Sequence, residues 1–431
     1  MVTRRGLIAT SALIATTTTA AACTVDKENR PGGNALKDLD PSSWASVKAQ
    51  FPLSGADANF AAFVFASHPA SVREAINGFA AKLDADPVGF LASDESRLEG
   101  EVARAAHAYL GGDEGGTAFT DSTTAGLGLL YSGLKLAPGD EILTTEHDFY
   151  ATHETLRLLA ARTGCTVRRV RLYSDPATAT EDEILSALGA ALSPRVAVVA
   201  LTWVHSGTGV RLPVAAMSDL IRSRTKALVC VDAVHGFGAR RERPGDLKVD
   251  FFVSGGHKWL FGPRGTGVLW GTKAGWDRYT PVVPSFSRAA IGSWITGRQL
   301  PVSAGDLATP GGYHTFEYRW ALAAAFDLHK RIGADRIADR TEQLATRLKD
   351  GIKDLGHVTL VTPRSPALSA GVVCCTVRGK TADVAVRELR ELHRVVASVT
   401  PYPTALVRFG TSIATDEADV DKALAALKAF A

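Results

Sequence analysis

The residues of this chain best suited to covalent chemistry lie where short apolar segments end. The segment SGGHKW (254–259) places Lys258 in a glycine-rich turn directly after one such segment. A lysine amine that forms a Schiff base must lie beside its carbonyl and be shielded from water, which lowers its pKa. Glycines in the turn allow the backbone to approach a bulky ligand closely. Lys258 is therefore a candidate for covalent catalysis, and a solvated loop lysine is the alternative.

An acid and a histidine follow a second apolar run, in the segment VCVDAVHG (229–236). In an open parallel sheet, the carboxyl ends of the strands face the ligand crevice. Asp232 at such an end could hold the protonated ring nitrogen of a pyridoxal cofactor and keep the ring an electron sink. His235, three residues further on, could donate to the ring oxygen. A capping aspartate and a packed histidine are the alternative.

Small hydroxylated residues open a predicted helix over 121–136. The segment DSTTAG (121–126) contains Thr123 and Thr124, and its backbone N–H groups together with the helix dipole suit a phosphate. Ordinary helix capping accounts for the same residues.

Two further histidines follow predicted strands. His147 comes after the strand 141–145, and His205 with Ser206 comes after the apolar run that begins at 195. An imidazole at such a position could stack on an aromatic ring or transfer protons. A lone histidine is more often structural, so neither position identifies a site by itself.

The composition is that of an ordinary globular protein. The 431 residues are 46% hydrophobic and 22% charged, which excludes disordered and collagen-like chains. With 48 basic and 45 acidic residues the net charge is +3, so no basic excess indicates a nucleic-acid partner. Five cysteines in so long a chain do not form a disulfide framework. A Rossmann-type oxidoreductase lacks support, since no Gly-x-Gly-x-x-Gly segment opens a helix after the first strand.

The first 22 residues are typical of a targeting segment. Arg4 and Arg5 precede an uncharged apolar and threonine-rich stretch, as in a twin-arginine export signal. Cys23 follows Ala20-Ala21-Ala22 and is a candidate for lipid attachment, which would be the chain's only link to a membrane. Residues 23–40 are expected to form a flexible tether. We therefore expect an exported protein that is periplasmic, extracellular or anchored by lipid.

Beyond about residue 120, predicted strands alternate with helices, which is typical of an α/β fold with a mainly parallel sheet and helices on both faces. Strands are predicted near 141–145, 166–172, 195–201, 227–231, 250–253 and 265–270. This rhythm fails over 281–310, which is expected to be extended loops. A smaller α+β domain is expected to follow.

Taken in order, these motifs resemble the class V aminotransferases, the fold-type I pyridoxal phosphate (PLP) family that includes cysteine desulfurases and isopenicillin N epimerase. The resemblance covers about residues 60–430 and implies a seven-stranded sheet. It implies a large PLP-binding domain over 41–310, with 41–75 joining a small domain over 311–431. The site residues that it implies are Lys258 for the Schiff base, Asp232 for the ring nitrogen, His235 and Ser206 for the ring oxygen, His147 on the ring face, and Thr123, Thr124 and His257 for the phosphate.

Two matches to this family lie in the second half of the chain. Thr315 precedes a long helix, where relatives place a threonine that reaches the phosphate of the neighbouring subunit, so the resemblance implies a homodimer. Arg408 in VRFG (407–410) resembles the arginine that binds the substrate carboxylate. A guanidinium matches a carboxylate with two parallel hydrogen bonds, which lysine does not do.

The resemblance implies an enzyme acting at Cα of an amino acid or peptide-like amine, as an aminotransferase or like isopenicillin N epimerase, with Lys258 as the Cα base. Epimerisation also needs a proton donor on the opposite face, for which His147 and Tyr150 are candidates. A cysteine desulfurase is disfavoured because the segment VVASVTPYP (395–403) has no thiol. A PLP-dependent lyase and a PLP-fold binding protein without turnover remain alternatives. No metal site is expected.

Overall fold

The computed structural model describes residues 38–431 of the chain. The predicted export signal and nearly all of the predicted tether therefore lie outside the described residues. Within residues 38–431, no helix is both long enough and apolar enough to cross a lipid bilayer.

Thirteen strands are found within the described part of the chain. In chain order they are β1 (Ala58–Asn59), β2 (Thr117–Thr120), β3 (Glu141–Thr145), β4 (Thr166–Val170), β5 (Val196–Thr202), β6 (Leu228–Asp232), β7 (Phe251–Gly255), β8 (Gly267–Gly271), β9 (Val358–Leu360), β10 (Val372–Val377), β11 (Val395–Val396), β12 (Ser398–Val399) and β13 (Val407–Gly410).

Fourteen α-helices connect and cover these strands over residues 38–431. They are α1 (Trp44–Ala49), α2 (Ala70–Ala85), α3 (Pro87–Leu110), α4 (Thr123–Gly133), α5 (Tyr150–Thr163), α6 (Glu181–Ala191), α7 (Val214–Arg224), α8 (Lys273–Asp277), α9 (Arg288–Thr296), α10 (Ala304–Ala308), α11 (Phe316–Ile332), α12 (Ala334–Lys353), α13 (Ala382–His393) and α14 (Glu417–Lys428).

The central sheet has seven strands in the order β2-β8-β7-β6-β5-β3-β4. Its pairs from β7 to β4 are parallel, and β8 runs antiparallel to both of its neighbours. Strands β6 and β7 are buried along their whole length, as expected when helices cover both faces of a parallel sheet. The predicted α/β fold with a mainly parallel seven-stranded sheet is therefore confirmed.

A second, antiparallel sheet follows in the C-terminal part, with strand order β12-β13-β10-β9. Its core is formed with helices α12, α13 and α14 and includes Leu344, Val373, Leu389 and Phe409. Strand β1 pairs with β11, which links the N-terminal segment to this part of the molecule.

Helix α11 packs in the main core rather than with the second sheet. Its residues Trp320 and Phe326 belong to the same buried cluster as Phe79 of α2 and Phe252 of β7. The domain limits at 310 and 311 stay a prediction.

The expectation of extended loops over 281–310 is wrong in part, because α9 and α10 lie there. Ser287 and Ser303 cap these helices, since their hydroxyl oxygens accept hydrogen bonds from first-turn N–H groups at 3.2 and 3.0 Å. No residue of α9 is buried, although Ile291, Trp294 and Ile295 have helical spacing and form an exposed apolar stripe.

Candidate active site

Polar side chains from four neighbouring strands meet at the carboxyl edge of the central sheet. Strands β3, β5, β6 and β7 run parallel, so their carboxyl ends share one edge. Asp232 ends β6, Lys258 follows β7, and His147 and Ser206 follow β3 and β5. Open α/β sheets bind ligands at this edge.

Asp232 is a buried carboxylate in which only one of the two oxygens has a hydrogen-bond partner among the described residues. Its Oδ1 accepts a hydrogen bond from the Val234 N–H at 3.0 Å, and its Oδ2 has no partner among residues 38–431. Burial, with a smaller contribution from the buried Asp148 carboxylate, raises the pKa of Asp232 to about 6. The positive charge of Lys258 opposes this rise. A proton donor placed at the free oxygen would stabilise the carboxylate.

Lys258 is the matching uncompensated cation. Its ammonium forms no hydrogen bond and no ion pair with any described residue. Burial lowers its pKa to about 8, a shift that Asp232 opposes and Arg408 increases. Lys258 and Asp232 each perturb the other's pKa without forming an ion pair. An amine with this pKa has a much larger uncharged, nucleophilic fraction near neutral pH than an ordinary lysine has.

A small cradle lies where α4 begins. The hydroxyl oxygen of Ser122 caps the helix by accepting from the Ala125 N–H at 3.1 Å, and Thr123 Oγ1 accepts from the Gly255 N–H at 2.7 Å. A Cβ added at Gly255 would lie 3.0 Å from the His257 ring, whose buried Nδ1 has no partner among the described residues. An orphaned ring nitrogen beside a helix N-terminus fits a phosphate group.

Thr124, also predicted to bind phosphate, lies in the first turn of α4 and is exposed. Its backbone N–H is among the first of the helix, which have no partner within it. Thr123, Thr124 and His257 therefore lie near one helix N-terminus.

His235 is held in a single tautomer by a tryptophan. Trp259 Nε1 donates to His235 Nδ1 at 3.2 Å, so the hydrogen of the neutral ring resides on Nε2. Burial and the charge of Lys258 depress the pKa of His235 well below its ordinary value. His235 is therefore a neutral hydrogen-bond donor, as its predicted role toward a ring oxygen requires.

His147 lies flat against a tyrosine that the sequence analysis missed. The rings of His147 and Tyr173 stack with centroids 3.8 Å apart and planes 6° apart. The Leu172 N–H donates to His147 Nε2 at 3.2 Å, and burial lowers the pKa of His147 to about 3. Tyr173 is fixed in turn by a 2.8 Å hydrogen bond between its hydroxyl and His205 Nδ1. His147 is thus a neutral, supported ring whose stacking orientation is set.

Arg408 is a buried guanidinium without a carboxylate partner among the described residues. Its Nε donates to Ser398 Oγ at 3.1 Å and its Nη1 to the Ser206 carbonyl at 3.0 Å. Its Cζ lies 4.6 Å from the centroid of the Phe63 ring, a cation–π contact. These contacts leave Nη2 unused, so the guanidinium can still bind an anionic group.

Tyr402 completes this side of the site and was also missed. Its hydroxyl lies 2.6 Å from Ser206 Oγ, and its ring lies over the turn at Gly207. The only sequence signal was its place in the segment 395–403, which is notable for lacking a thiol.

Thr315 has no side-chain hydrogen bond to any of the groups described above. It is exposed and precedes α11 without capping it through its side chain. Its predicted role needs a second subunit, so that role stays a prediction. Tyr150 is likewise mostly exposed, at the start of α5.

Comparison with known proteins identifies the family of this chain. The model of the family described as aminotransferase class-V matches residues 68–422, so the chain belongs to that family. It is 28% identical to isopenicillin N epimerase of Streptomyces clavuligerus over 84% of this chain and 92% of that protein. It is 26% identical to isopenicillin N epimerase of Amycolatopsis lactamdurans over 90% of this chain and 98% of that protein. It is also 26% identical to a cysteine desulfurase of Salmonella gallinarum, over 59% of this chain and 61% of that protein.

Solved structures show the same fold. A variant of C-DES with glycine covalently linked to its PLP cofactor superposes with a TM-score of 0.81 at 24% identity, over 89% of this chain and 99% of that one. The apo cysteine desulfurase of Thermococcus onnurineus NA1 superposes with a TM-score of 0.77 at 20% identity, over 89% of this chain and 97% of that one. The chain is therefore a PLP-dependent class V enzyme.

The chemistry of the donor set fits this cofactor. Lys258 would carry it, Asp232 would bind its ring nitrogen, and the cradle at Thr123 and His257 would bind its phosphate. Among residues 38–431, no cluster of three or more histidines, cysteines or acids is arranged to hold a metal ion.

Proposed function

We propose that this enzyme breaks and remakes the Cα–H bond of an α-amino acid or peptide-like amine, with epimerisation as the main outcome and transamination as the second candidate. The observation that carries this proposal is the uncompensated pair of Lys258 and Asp232 beside the unpaired guanidinium of Arg408. PLP supplies the electron sink that stabilises negative charge at Cα. The similarity to isopenicillin N epimerases over 84% and 90% of the chain supports epimerisation.

Each residue of the site has a defined task in this proposal. Arg408 binds the substrate carboxylate through its free N–H groups, which orients Cα toward Lys258. Lys258, with a pKa of about 8, takes the Cα proton and can return it on one face of the substrate. Inversion takes its proton from a donor on the opposite face, for which His147 and Tyr150 are the candidates. Asp232 accepts a hydrogen bond from the ring nitrogen and keeps it protonated. His147 and His235 are neutral and orient the ring rather than supply charge.

The four cysteines in the described part of the chain argue against a desulfurase. Cys165, Cys230, Cys374 and Cys375 are all buried. Burial raises the pKa of Cys374, which lies on β10 opposite Arg408, to about 12, so it is not a thiolate at neutral pH. Tyr402 occupies the loop between β12 and β13 in which a nucleophilic thiol would be needed.

Proton exchange in heavy water tests the step that epimerisation and transamination share. The PLP-loaded enzyme is incubated with a panel of L-amino acids and short peptides in D2O, and deuterium at Cα is measured by mass spectrometry. We expect incorporation that depends on Lys258, with D-epimer detected by chiral chromatography. Incorporation with keto acid instead would favour transamination. Ammonia release without incorporation into recovered substrate would contradict the proposal and favour a lyase.

We further propose that the enzyme is a homodimer. A run of large apolar side chains is exposed, and a second copy would cover it: Val282, Phe286, Trp294, Ile295, Leu300 and Tyr313. Sedimentation analysis should give twice the chain mass, and Trp294→Glu should shift the protein toward monomer. A monomeric native enzyme would contradict this proposal.

Export by the twin-arginine route is also a proposal, supported by Arg4 and Arg5 ahead of the uncharged stretch. Replacing both arginines with lysine should retain the protein inside the cell, as measured by fractionation. Metabolic labelling with a fatty acid, compared between the native chain and Cys23→Ala, tests lipid attachment.

A further inference from the structure

Tyr402 crosses from the second sheet to the central sheet at the proposed site. It lies in the loop between β12 and β13, whereas its hydroxyl lies 2.6 Å from the Oγ of Ser206, which follows β5. Its ring is packed on the turn at Gly207, where an added Cβ would lie 3.0 Å from ring carbons. The tyrosine is therefore held on both its apolar and its polar side.

In the contact between the Tyr402 and Ser206 hydroxyls, one of the two hydroxyl hydrogens is not donated to the other oxygen. Two hydroxyls face each other, but only one hydrogen can lie between their oxygens. Neither hydroxyl has another hydrogen-bond partner among residues 38–431. Burial raises the pKa of Tyr402 to about 12, so the phenol keeps its hydrogen at working pH. Since a phenol is the more acidic hydroxyl and the better donor, Tyr402 donates and the Ser206 hydrogen remains free.

Ser206 is held from a second direction by the same region of the molecule. Arg408, on β13, donates from Nη1 to the Ser206 carbonyl at 3.0 Å. The backbone and the side chain of Ser206 are thus both fixed by residues of the second sheet. A serine restrained in this way has its remaining hydrogen directed by its partners rather than by free rotation.

We propose that Tyr402 is a positioning residue that acts through Ser206: its hydroxyl donates to Ser206 Oγ and thereby commits the Ser206 hydrogen to the ring oxygen of the cofactor. This inference rests on the proposed function and on the role at that oxygen which the family resemblance implies for Ser206. It explains why a tyrosine occupies this loop in a chain without a thiol there.

The pKa of the Lys258–cofactor linkage, measured by absorbance against pH, tests the proposal. A hydrogen bond donated to the ring oxygen stabilises its negative charge and makes the linkage nitrogen more acidic. Tyr402→Phe removes only the hydroxyl and should raise this pKa by about one unit. Ser206→Ala should raise it at least as much. The double variant should not exceed Ser206→Ala, because both changes remove the same hydrogen bond.

Tyr279→Phe is the matched control. Tyr279 is also a buried tyrosine, but its hydroxyl has no partner among the described residues and it packs on Trp276 and Phe251, away from the site. This variant should leave the linkage pKa unchanged. Thermal unfolding of each variant separates loss of folding from loss of positioning.

Three results would overturn the proposal. Tyr402→Phe could leave the linkage pKa at the native value, or its shift could add in full to that of Ser206→Ala. It could also raise KM alone, which would assign the hydroxyl to substrate binding. The proposed function fails separately, if the native protein gives no Lys258-dependent absorbance band when PLP is added.

Discussion

At the amino edge of the central sheet buried carboxylates are paired, whereas at the carboxyl edge they are not. Glu141 accepts a 2.6 Å hydrogen bond from Arg168 Nη2. Asp250 accepts from the Val229 N–H at 2.8 Å and lies 3.2 Å from Arg222 Nη2. Asp232, buried to a similar degree, has one backbone partner and no described cation within ion-pair distance.

The presence or absence of a cationic partner distinguishes buried acids that stabilise the fold from a buried acid that is suited to bind a ligand. Desolvated charges that are not compensated cost stability, and they are retained where a bound molecule compensates them. A groove of about 770 Å³ lies at the amino edge, lined by Arg195, Arg222 and Lys226 among others, but the buried carboxylates Glu141 and Asp250 at this edge already have arginine partners.

The largest expected effect comes from the uncompensated lysine. Lys258→Ala should abolish the absorbance band of the bound cofactor and lower turnover by at least about 1,000-fold, since the base and the covalent anchor are both lost. Lys226→Ala, at the amino edge, should leave the band and the turnover unchanged. Equal loss in both variants would remove the contrast between the two edges.

The buried acids of the two edges should differ nearly as strongly. Asp232→Asn should lower turnover by about 100-fold or more, because the ring nitrogen loses the carboxylate that keeps it protonated. Asp250→Asn should retain the cofactor spectrum. Turnover and visible absorbance of the two purified variants provide the measurement, and a fully active Asp232→Asn would contradict the assignment.

Substrate binding should depend on the shape of the cation and not only on its charge. Arg408→Lys should raise KM for a carboxylate-bearing substrate by roughly 10- to 100-fold, since an ammonium does not form two parallel hydrogen bonds. Turnover at saturation should change less. Arg195→Lys at the amino edge is the control. An unchanged KM in Arg408→Lys would rule out that Arg408 binds the substrate carboxylate with two hydrogen bonds.

Stability of the PLP-free protein should change in opposite directions at the two edges. Above pH 6 the Asp232 carboxylate is charged and buried, so Asp232→Asn should stabilise the fold, whereas Asp250→Asn should destabilise it by about 1–3 kcal/mol. Asp232 has a raised pKa, so its contribution is favourable below its unfolded pKa and is lost as pH rises through about 6. The gain in Asp232→Asn should therefore vanish between pH 6 and 4. Chemical denaturation against pH measures both effects, and destabilisation by both variants would be contrary to this account.

The smallest expected effect concerns Tyr173, whose ring stacks on His147. Tyr173→Leu removes the stacking contact and the hydrogen bond to His205, which should lower turnover by about 2- to 10-fold. Visible circular dichroism of the bound cofactor should change with it. An unaltered signal would mean that His147 does not need this support.

Much of the carboxyl edge was predictable from sequence because each motif is local. A strand, its last residue and the following turn are contiguous, so Asp232, His235 and Lys258 could be assigned to strand ends before any tertiary contact was known. Tyr402 and Tyr173 could not, since their roles arise from contacts such as Tyr402 with Ser206, 196 residues apart. Helix α9 was missed although Ile291, Trp294 and Ile295 have helical spacing, because it lies in a proline-containing stretch where the alternation of strands and helices stops.

The covalent attachment of PLP to Lys258 is the central claim and can be tested directly. The native protein is loaded with PLP, reduced with borohydride, digested and mapped by mass spectrometry. We predict one pyridoxyl group, on the peptide that contains Lys258, and its loss in Lys258→Ala. A label absent from that peptide, or spread over exposed lysines such as Lys226, would contradict the account.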